Sequence, residues 1–222
     1  TLRLYWLPYL IVAIVLAAVT HEAAHGIIAR IEGVSIKSAG AFLLAIFPGG
    51  FVDLDEKEME GSSTASKLRI VSVGSAINLS IWLLLLVVIS GLFVQSPSGI
   101  VIVEVLEGGP LDRAGLGRWD VLYAINGVPL RTYQDLSIFM ANVTPGSRLV
   151  LSTSRGDTSI VAASDPDQSS RAIIGIRSPV VLYYPSGLGL GFFWDIHLYM
   201  TLNWMSMLLF SISVFNMLPI PI

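Results

Sequence analysis

The sequence predicts a polytopic α-helical membrane core interrupted by a small, β-rich α+β domain, and three observations predict it. The chain is 54% hydrophobic and only 13% charged over 222 residues, with a mean hydropathy of +0.73, too apolar for an ordinary soluble domain of that length. Three apolar runs, at about 4–28, 70–93 and 196–218, each suffice to cross a hydrocarbon core of about 30 Å. Between the second and third, residues 96–178 carry most of the remaining charge, regular turn signals and alternating strands such as Gly99-Ile100-Val101-Ile102-Val103. The chain therefore divides into a membrane part over 1–95, a soluble domain over 96–178, and an interfacial segment with the third span over 179–222. The lipid bilayer is its first expected partner. A net charge of −3, with scattered basic residues, gives no case for nucleic acid. Cysteine is absent, which removes disulfides and thiolate metal ligands.

The first span contains Thr20-His21-Glu22-Ala23-Ala24-His25-Gly26. At 3.6 residues per turn His21 and His25 lie one turn apart on one helical face, so two ring nitrogens converge as tetrahedral Zn²⁺ requires. Glu22 points about 100° away from His21. That offset suits a base beside the metal, taking a proton from water as it attacks a carbonyl, rather than a third ligand. An ionisable group at a bilayer centre costs about 2.5–3.5 kcal/mol on insertion scales. Three of them within one span require a polar partner, and zinc is the economical one. With Arg30 close behind, the metal is expected about 10 Å inside one membrane face. Gly26 is either a packing glycine or a point of close helix approach.

Residues 31–66 contain an apolar run, Ala39 to Phe47, too short to span, and then a strong turn signal, Pro48-Gly49-Gly50. A hairpin over about 33–53, re-entering the membrane beside protein or a wet cavity, fits better than a surface loop. Its spare edge would pair with an extended substrate. The acidic stretch Asp53, Asp55, Glu56, Glu58 and Glu60 reads as a solvated face. Arg30, Lys37, Lys57, Lys67 and Arg69 lie between the first two spans and Arg3 alone precedes them, so this connection, and the metal near it, belongs at the cytoplasmic side. In the second span Asn78 is an amide at membrane depth, which either holds a substrate carbonyl or pins a helix interface.

Within the soluble domain, Glu107-Gly108-Gly109-Pro110-Leu111-Asp112-Arg113-Ala114-Gly115-Leu116, then Trp119-Asp120-Val121-Leu122 and Ile125-Asn126-Gly127, resemble a PDZ domain of the protease-associated, bacterial type. The resemblance implies peptide binding by strand addition, with Gly99, Ile100 and Val101 in the peptide-binding loop, and the topology places the domain outside the cytoplasm. The segment from Pro179 to Asp195 has the aromatic and glycine content of a membrane interface. His197 enters the third span from the face opposite the His21 and His25 pair and reads as an interfacial histidine. Near the end, Asn216-Met217-Leu218-Pro219-Ile220-Pro221 must break the helix.

Taken in order, an H-E-x-x-H helix, a hairpin, a G-x-x-x-N helix, an inserted PDZ domain and a helix ending in N-x-x-P resemble the core of a site-2 protease, the intramembrane zinc metalloprotease family, with Gly49 to Asp53 closest to its archaeal branch. The resemblance implies that His21 and His25 are zinc ligands, Glu22 the general base, and Asn78 and Asn216 site residues orienting substrate or oxyanion. In that family an aspartate shortly after N-x-x-P-x-P supplies the third ligand. This chain begins at Thr1 and stops at Ile222 inside an apolar segment, so it is expected to be a fragment whose third ligand lies just beyond Ile222. The implied reaction is hydrolysis of a peptide bond in or beside a transmembrane segment of a membrane-anchored protein substrate, in regulated intramembrane proteolysis. The alternatives are a catalytically inactive membrane PDZ receptor, which loss of Glu22 would favour, and a metal transporter, which would need polar positions repeated along several spans.

Overall fold

The structure, a computed structural model, describes residues 4–45, 47–177 and 181–217. The helix break expected at Pro219 and Pro221 lies outside the described residues. Two compact units divide the chain, one formed by 1–89 and 200–222, the other by 90–199.

In the first unit a 3₁₀ turn, Leu4–Trp6, leads into α1, Leu7–Ile31, with a proline in its first turn, where a missing N–H costs nothing. The helix runs three residues beyond the expected end and stops at Gly33, whose φ of +84° suits glycine alone. Helix α3, Thr64–Leu92, starts six residues before the expected position. Ser63 explains this: its hydroxyl accepts the Ser66 N–H at 3.1 Å, so the helix is capped upstream of the apolar run. Helix α6 covers Phe192–Met217. These three are long and apolar enough to cross a membrane. Within this unit they meet at Ala17 of α1, Leu85 of α3 and Leu209 of α6, all buried, where alanine lets the neighbours approach closely.

Strands β1, Ile36–Leu44, and β2, Phe47–Leu54, form an antiparallel hairpin. The turn is not at Pro48-Gly49-Gly50 as the composition suggested. Leu44 pairs with Phe47, the connection is two residues, and Ala45 takes φ +55° as such tight hairpins require. The reason lies in register. The Val52 N–H donates to Glu22 at 3.1 Å and is therefore turned away from β1. By the two-residue alternation of antiparallel ladders, positions 48, 50 and 52 all direct their N–H and C=O away from β1. Pro48 thus sits where no ladder donor is needed. The strand glycines are equally placed: Gly40 lies opposite Phe51 and Gly49 opposite Phe42, and a Cβ on either would run into the facing phenyl ring.

A short helix α2, Glu56–Gly61, follows. The acidic stretch is exposed at Asp53, Glu56, Glu58 and Glu60, as a solvated face requires, and two of its carboxylates also hold local structure. Asp55 caps α2, accepting from the Glu58 N–H at 3.0 Å, and that bond, helped by Lys37 at 3.6 Å, holds its carboxyl below the usual carboxylate range. Glu58 in turn accepts from the Ser35 N–H at 2.6 Å, tying α2 to the start of the hairpin.

The second unit contains β3, Gly99–Val101; β4, Glu104–Val105; α4, Pro110–Arg113; β5, Val121–Ile125; β6, Val128–Pro129; α5, Tyr133–Ala141; β7, Arg148–Thr153; β8, Gly156–Val161; β9, Ala163–Ser164; β10, Ala172–Ile173; β11, Ile176–Arg177; and β12, Val181–Tyr183. Its main sheet runs β12-β3-β5-β7-β8, with β6 beside β5. Ile100, Leu122, Ile125 and Leu151 point into one fully buried core closed by Leu111, Leu130 and Leu136. Helix α5 starts at a reciprocal cap in which Thr132 and Asp135 satisfy each other's backbone N–H groups. At the other end of the unit Asp195 is buried and accepts from the Tyr183 hydroxyl at 3.0 Å and from the Ser186 hydroxyl. His197, expected to be a satisfied or wet interfacial histidine, packs on the rings of Trp119 and Phe193.

Candidate metal centre

His21 and His25 present their Nε2 atoms to each other at 3.1 Å. Two ligands about 2.0–2.1 Å from one ion subtend that span at roughly 95–100°, close to a tetrahedral edge. The donor set fits as well, since neutral imidazole nitrogen is a ligand that Zn²⁺ accepts readily. Each ring is fixed by its other nitrogen. His25 Nδ1 lies 2.6 Å from the Ile70 carbonyl oxygen, which can only accept, so Nδ1 carries the proton and Nε2 keeps its lone pair. His21 Nδ1 lies 3.2 Å from the Asn78 amide. Among the described residues no group of three His, Cys, Asp or Glu side chains is placed to hold a metal.

Glu22 reaches the hairpin instead of the histidine pair. Its carboxylate accepts the Val52 N–H on the edge of β2 that faces away from β1, and Gly50 lies beside its methylenes. Gly26 packs against Ile36 and Val52, where a Cβ would come to 3.3 Å of the Ile36 side chain, so the hairpin lies tightly on α1. A cavity of about 750 Å³ opens over His21, Glu22 and His25, with Val52, Ser75 and Asn216 also in its lining. It is large enough for water and an extended backbone segment.

Of the residues singled out in the sequence, the structure gathers His21, Glu22, His25 and Asn216 around this cavity. Asn78 is fully buried against His21 and does not line the cavity. Gly99, Ile100 and Val101 are placed elsewhere and differently from their expected role. All three are buried, and β3 is hydrogen-bonded to β12 on one edge and β5 on the other, leaving no edge for a peptide. An open groove of that unit, about 470 Å³, lies between α5 and residues 172–176, lined by Leu136, Met140 and Ile174.

Two contributors escaped the sequence reading. The Ile70 carbonyl and the Val52 N–H are backbone groups, and no residue type announces them. Gly74 is different. It stands one turn before Asn78 on α3, and a Cβ there would overlap His21 Cε1 and both Nε2 atoms, so only glycine lets α3 lie against the two rings. The G-x-x-x-N spacing was the available signal.

A histidine pair one turn apart on a helix long and apolar enough to cross a membrane, with the intervening glutamate on the same cavity, is the layout of an H-E-x-x-H metal motif. The chain belongs to peptidase family M50, the site-2 protease family, whose pattern it matches over residues 9–222. It is 34% identical over 143 residues to an uncharacterised protein of the archaeon Methanocaldococcus jannaschii, covering 63% of this chain and 37% of that protein. A membrane-bound transcription factor site-2 protease homolog of Arabidopsis thaliana is 29% identical over 128 residues, covering 55% of this chain and 25% of that protein. The chain thus spans roughly a quarter to somewhat over a third of the length of these curated relatives. Among solved structures, the PDZ domain of an SdrC-like protein from Listeria monocytogenes aligns with 38% of this chain and 87% of its own, at 16% identity and a TM-score of 0.32.

Proposed function

We propose that this chain carries the catalytic centre of an intramembrane zinc metalloprotease that hydrolyses a peptide bond in or next to a transmembrane segment of a membrane-anchored protein. The single observation that carries the reading is the convergence of two Nε2 atoms at 3.1 Å on a cavity that Glu22 also lines, on a helix apolar enough to span lipid. His21 and His25 hold the ion, which leaves coordination positions for a further ligand and for water. The bound ion supplies Lewis-acid polarisation of the scissile carbonyl and of the attacking water. Glu22 takes the proton of that water and later passes it to the leaving amine. Asn216, in the cavity lining, would orient the substrate or a developing oxyanion. The zinc site lies near the cytoplasmic face and the soluble domain on the other side, by the distribution of basic residues.

A helical substrate span hides its carbonyls, so it must be held extended to react. The hairpin, re-entering the membrane, offers two edges, and the position of Glu22 chooses between them. A strand added to the outer edge of β1 would lie about 10 Å from β2, two strand spacings away from the general base. One added to the other edge of β2 lies next to Glu22, with the Gly50 N–H and C=O and the Pro48 C=O as its partners. Gly50 and Ala41 face each other across the hairpin and direct their backbone groups to opposite edges. Gly50→Pro is therefore expected to cut cleavage about tenfold or more with zinc content unchanged, and Ala41→Pro to leave cleavage within about twofold. Cleavage assays with parallel metal analysis compare them; the opposite ranking would move the substrate to β1.

In the soluble domain we infer that peptide capture uses the groove between α5 and residues 172–176 rather than Gly99, Ile100 and Val101. Strands β10 and β11 each have a single partner, which leaves their α5-facing side for an added strand. The reading as a whole is tested with the full-length protein in liposomes containing a single-span substrate tagged at both ends. Cleavage should cease on zinc chelation and return with added Zn²⁺. Cleavage at full rate after complete zinc removal contradicts it.

A further inference from the structure

The cavity over the histidine pair has polar and apolar stretches of wall. Besides His21, Glu22, His25 and Asn216, its lining includes Leu54, Met59, Ile70 and Val71. The apolar stretch has a common base: Leu54 at the end of β2 and Met59 of α2 pack against the buried cluster of Ala29, Val34 and Ile70. It also adjoins the metal pair, because the Ile70 carbonyl is the group that lies 2.6 Å from His25 Nδ1.

Met59 comes from a helix that otherwise faces water. Every other residue of α2 is exposed, and Met59 alone is turned inward. A polar helix of six residues has no stability of its own, and this one is tied down at both ends. The Asp55 N–H donates to the Ser35 carbonyl at 2.9 Å and the Ser35 N–H to the Glu58 carboxylate at 2.6 Å, which fixes its start to the hairpin. Lys67 Nζ donates to the Glu60 carbonyl at 2.7 Å, which fixes its end to α3. These ties lie outside the cavity and hold one thioether at its wall, so the wall is formed before a ligand enters.

Where a substrate would meet this surface follows from the ladder on β2. A strand paired with Pro48 and Gly50 reaches Glu22 at Val52, whose N–H the carboxylate already occupies. Past that point β2 ends at Leu54. The substrate residue beyond the scissile bond, on the side away from the pairing, therefore leaves the ladder toward Leu54, Met59 and Ile70. Those three side chains offer aliphatic carbon and a thioether, with no hydrogen-bonding group. A charged residue placed there would lose its water without gaining a partner, whereas an aliphatic one buries its surface favourably. Methionine, unbranched and pliable, adapts to several aliphatic shapes.

We propose that Met59, with Leu54 and Ile70, forms a specificity-determining subsite that accepts an aliphatic side chain of about the size of leucine from the substrate residue flanking the scissile bond on the side away from the β2 pairing. The proposal rests on the proposed zinc site and on substrate pairing with β2. It makes sequence preference a property of α2, a short helix outside the three apolar spans.

The test uses the full-length protein in liposomes with a single-span substrate. The two residues flanking the cleaved bond are each varied through Ala, Leu, Phe and Asp, and the cleavage point is read by mass spectrometry. At one flanking position kcat/KM of the wild type should fall about tenfold or more from Leu to Ala, and about 100-fold or more from Leu to Asp. Met59→Ala, which deepens the subsite, should shift preference at that position toward Phe over Leu by about tenfold. Met59→Phe, which fills it without leaving a cavity under α2, should shift preference toward Ala over Leu by a similar factor. Zinc content and the preference at the other flanking position should not change in either variant. A methionine that serves only to pack α2 would slow every substrate by one common factor; that result, or unchanged preference at both positions, overturns the proposal and leaves the zinc site standing. Cleavage at full rate after complete zinc removal overturns the site itself.

Discussion

Glu22→Gln will leave the protein folded and loaded with zinc and will lower its cleavage rate by about 10²–10⁴-fold, the range general acid–base catalysis contributes. The amide is nearly isosteric with the carboxylate, and its oxygen can still accept the Val52 N–H that now meets Glu22 at 3.1 Å. The hairpin therefore stays seated on α1, where Gly26 packs against Ile36 and Val52. What the amide cannot do is take a proton from water. Uncut substrate should accumulate in complex with the variant. A variant that cleaves at close to the wild-type rate would remove Glu22 from the chemistry and return its carboxylate to a structural role, anchoring β2.

Gly74→Ala will lower zinc affinity about 5- to 150-fold, and cleavage with it. The added methyl overlaps the His21 and His25 rings at the two nitrogens that face each other. Neither ring can turn aside cheaply, because His25 is pinned by the Ile70 carbonyl at 2.6 Å and His21 by Asn78 at 3.2 Å. Overpacking of this kind costs about 1–3 kcal/mol, or roughly 5- to 150-fold in affinity, and here the whole cost falls on the ligand atoms. Gly91→Ala is the control. It lies on the same helix with open space around its Cβ position, and should bind zinc as wild type does while gaining up to about 1 kcal/mol of helix propensity. Chelator competition on the two variants separates crowding of the rings from a general intolerance of alanine in α3.

The parts of this molecule legible in its sequence are those that side-chain type and period encode locally. Apolar length located the three helices, and the one-turn spacing of His21 and His25 put both rings on one face before any contact was known. The hairpin was visible as an apolar run too short to span, but its turn was misplaced. Proline and glycine usually break strands, whereas here Pro48 falls on the outward-facing half of the ladder and Gly49 is covered by Phe42 from across the hairpin. Register decides that, and register is a property of the pair. The same limit explains the soluble domain. Gly99-Ile100-Val101 alternates as a strand should, yet whether a strand has a free edge depends on neighbours distant in sequence, and β3 has both edges taken by β5 and β12. Asn78 was singled out for its cost at membrane depth, and the structure resolves what its partner is: His21 rather than the cavity. Backbone groups such as the Ile70 carbonyl carry no mark in the sequence at all.

The measurement that bears most directly on this account is the zinc content of the purified full-length protein, wild type beside a His21→Ala, His25→Ala double variant, by elemental analysis after extensive dialysis. The account predicts about one zinc per chain in the wild type, the same in Glu22→Gln, and almost none in the double variant. Equal zinc in wild type and double variant would contradict it, because the ion would then be held by residues other than the pair on α1.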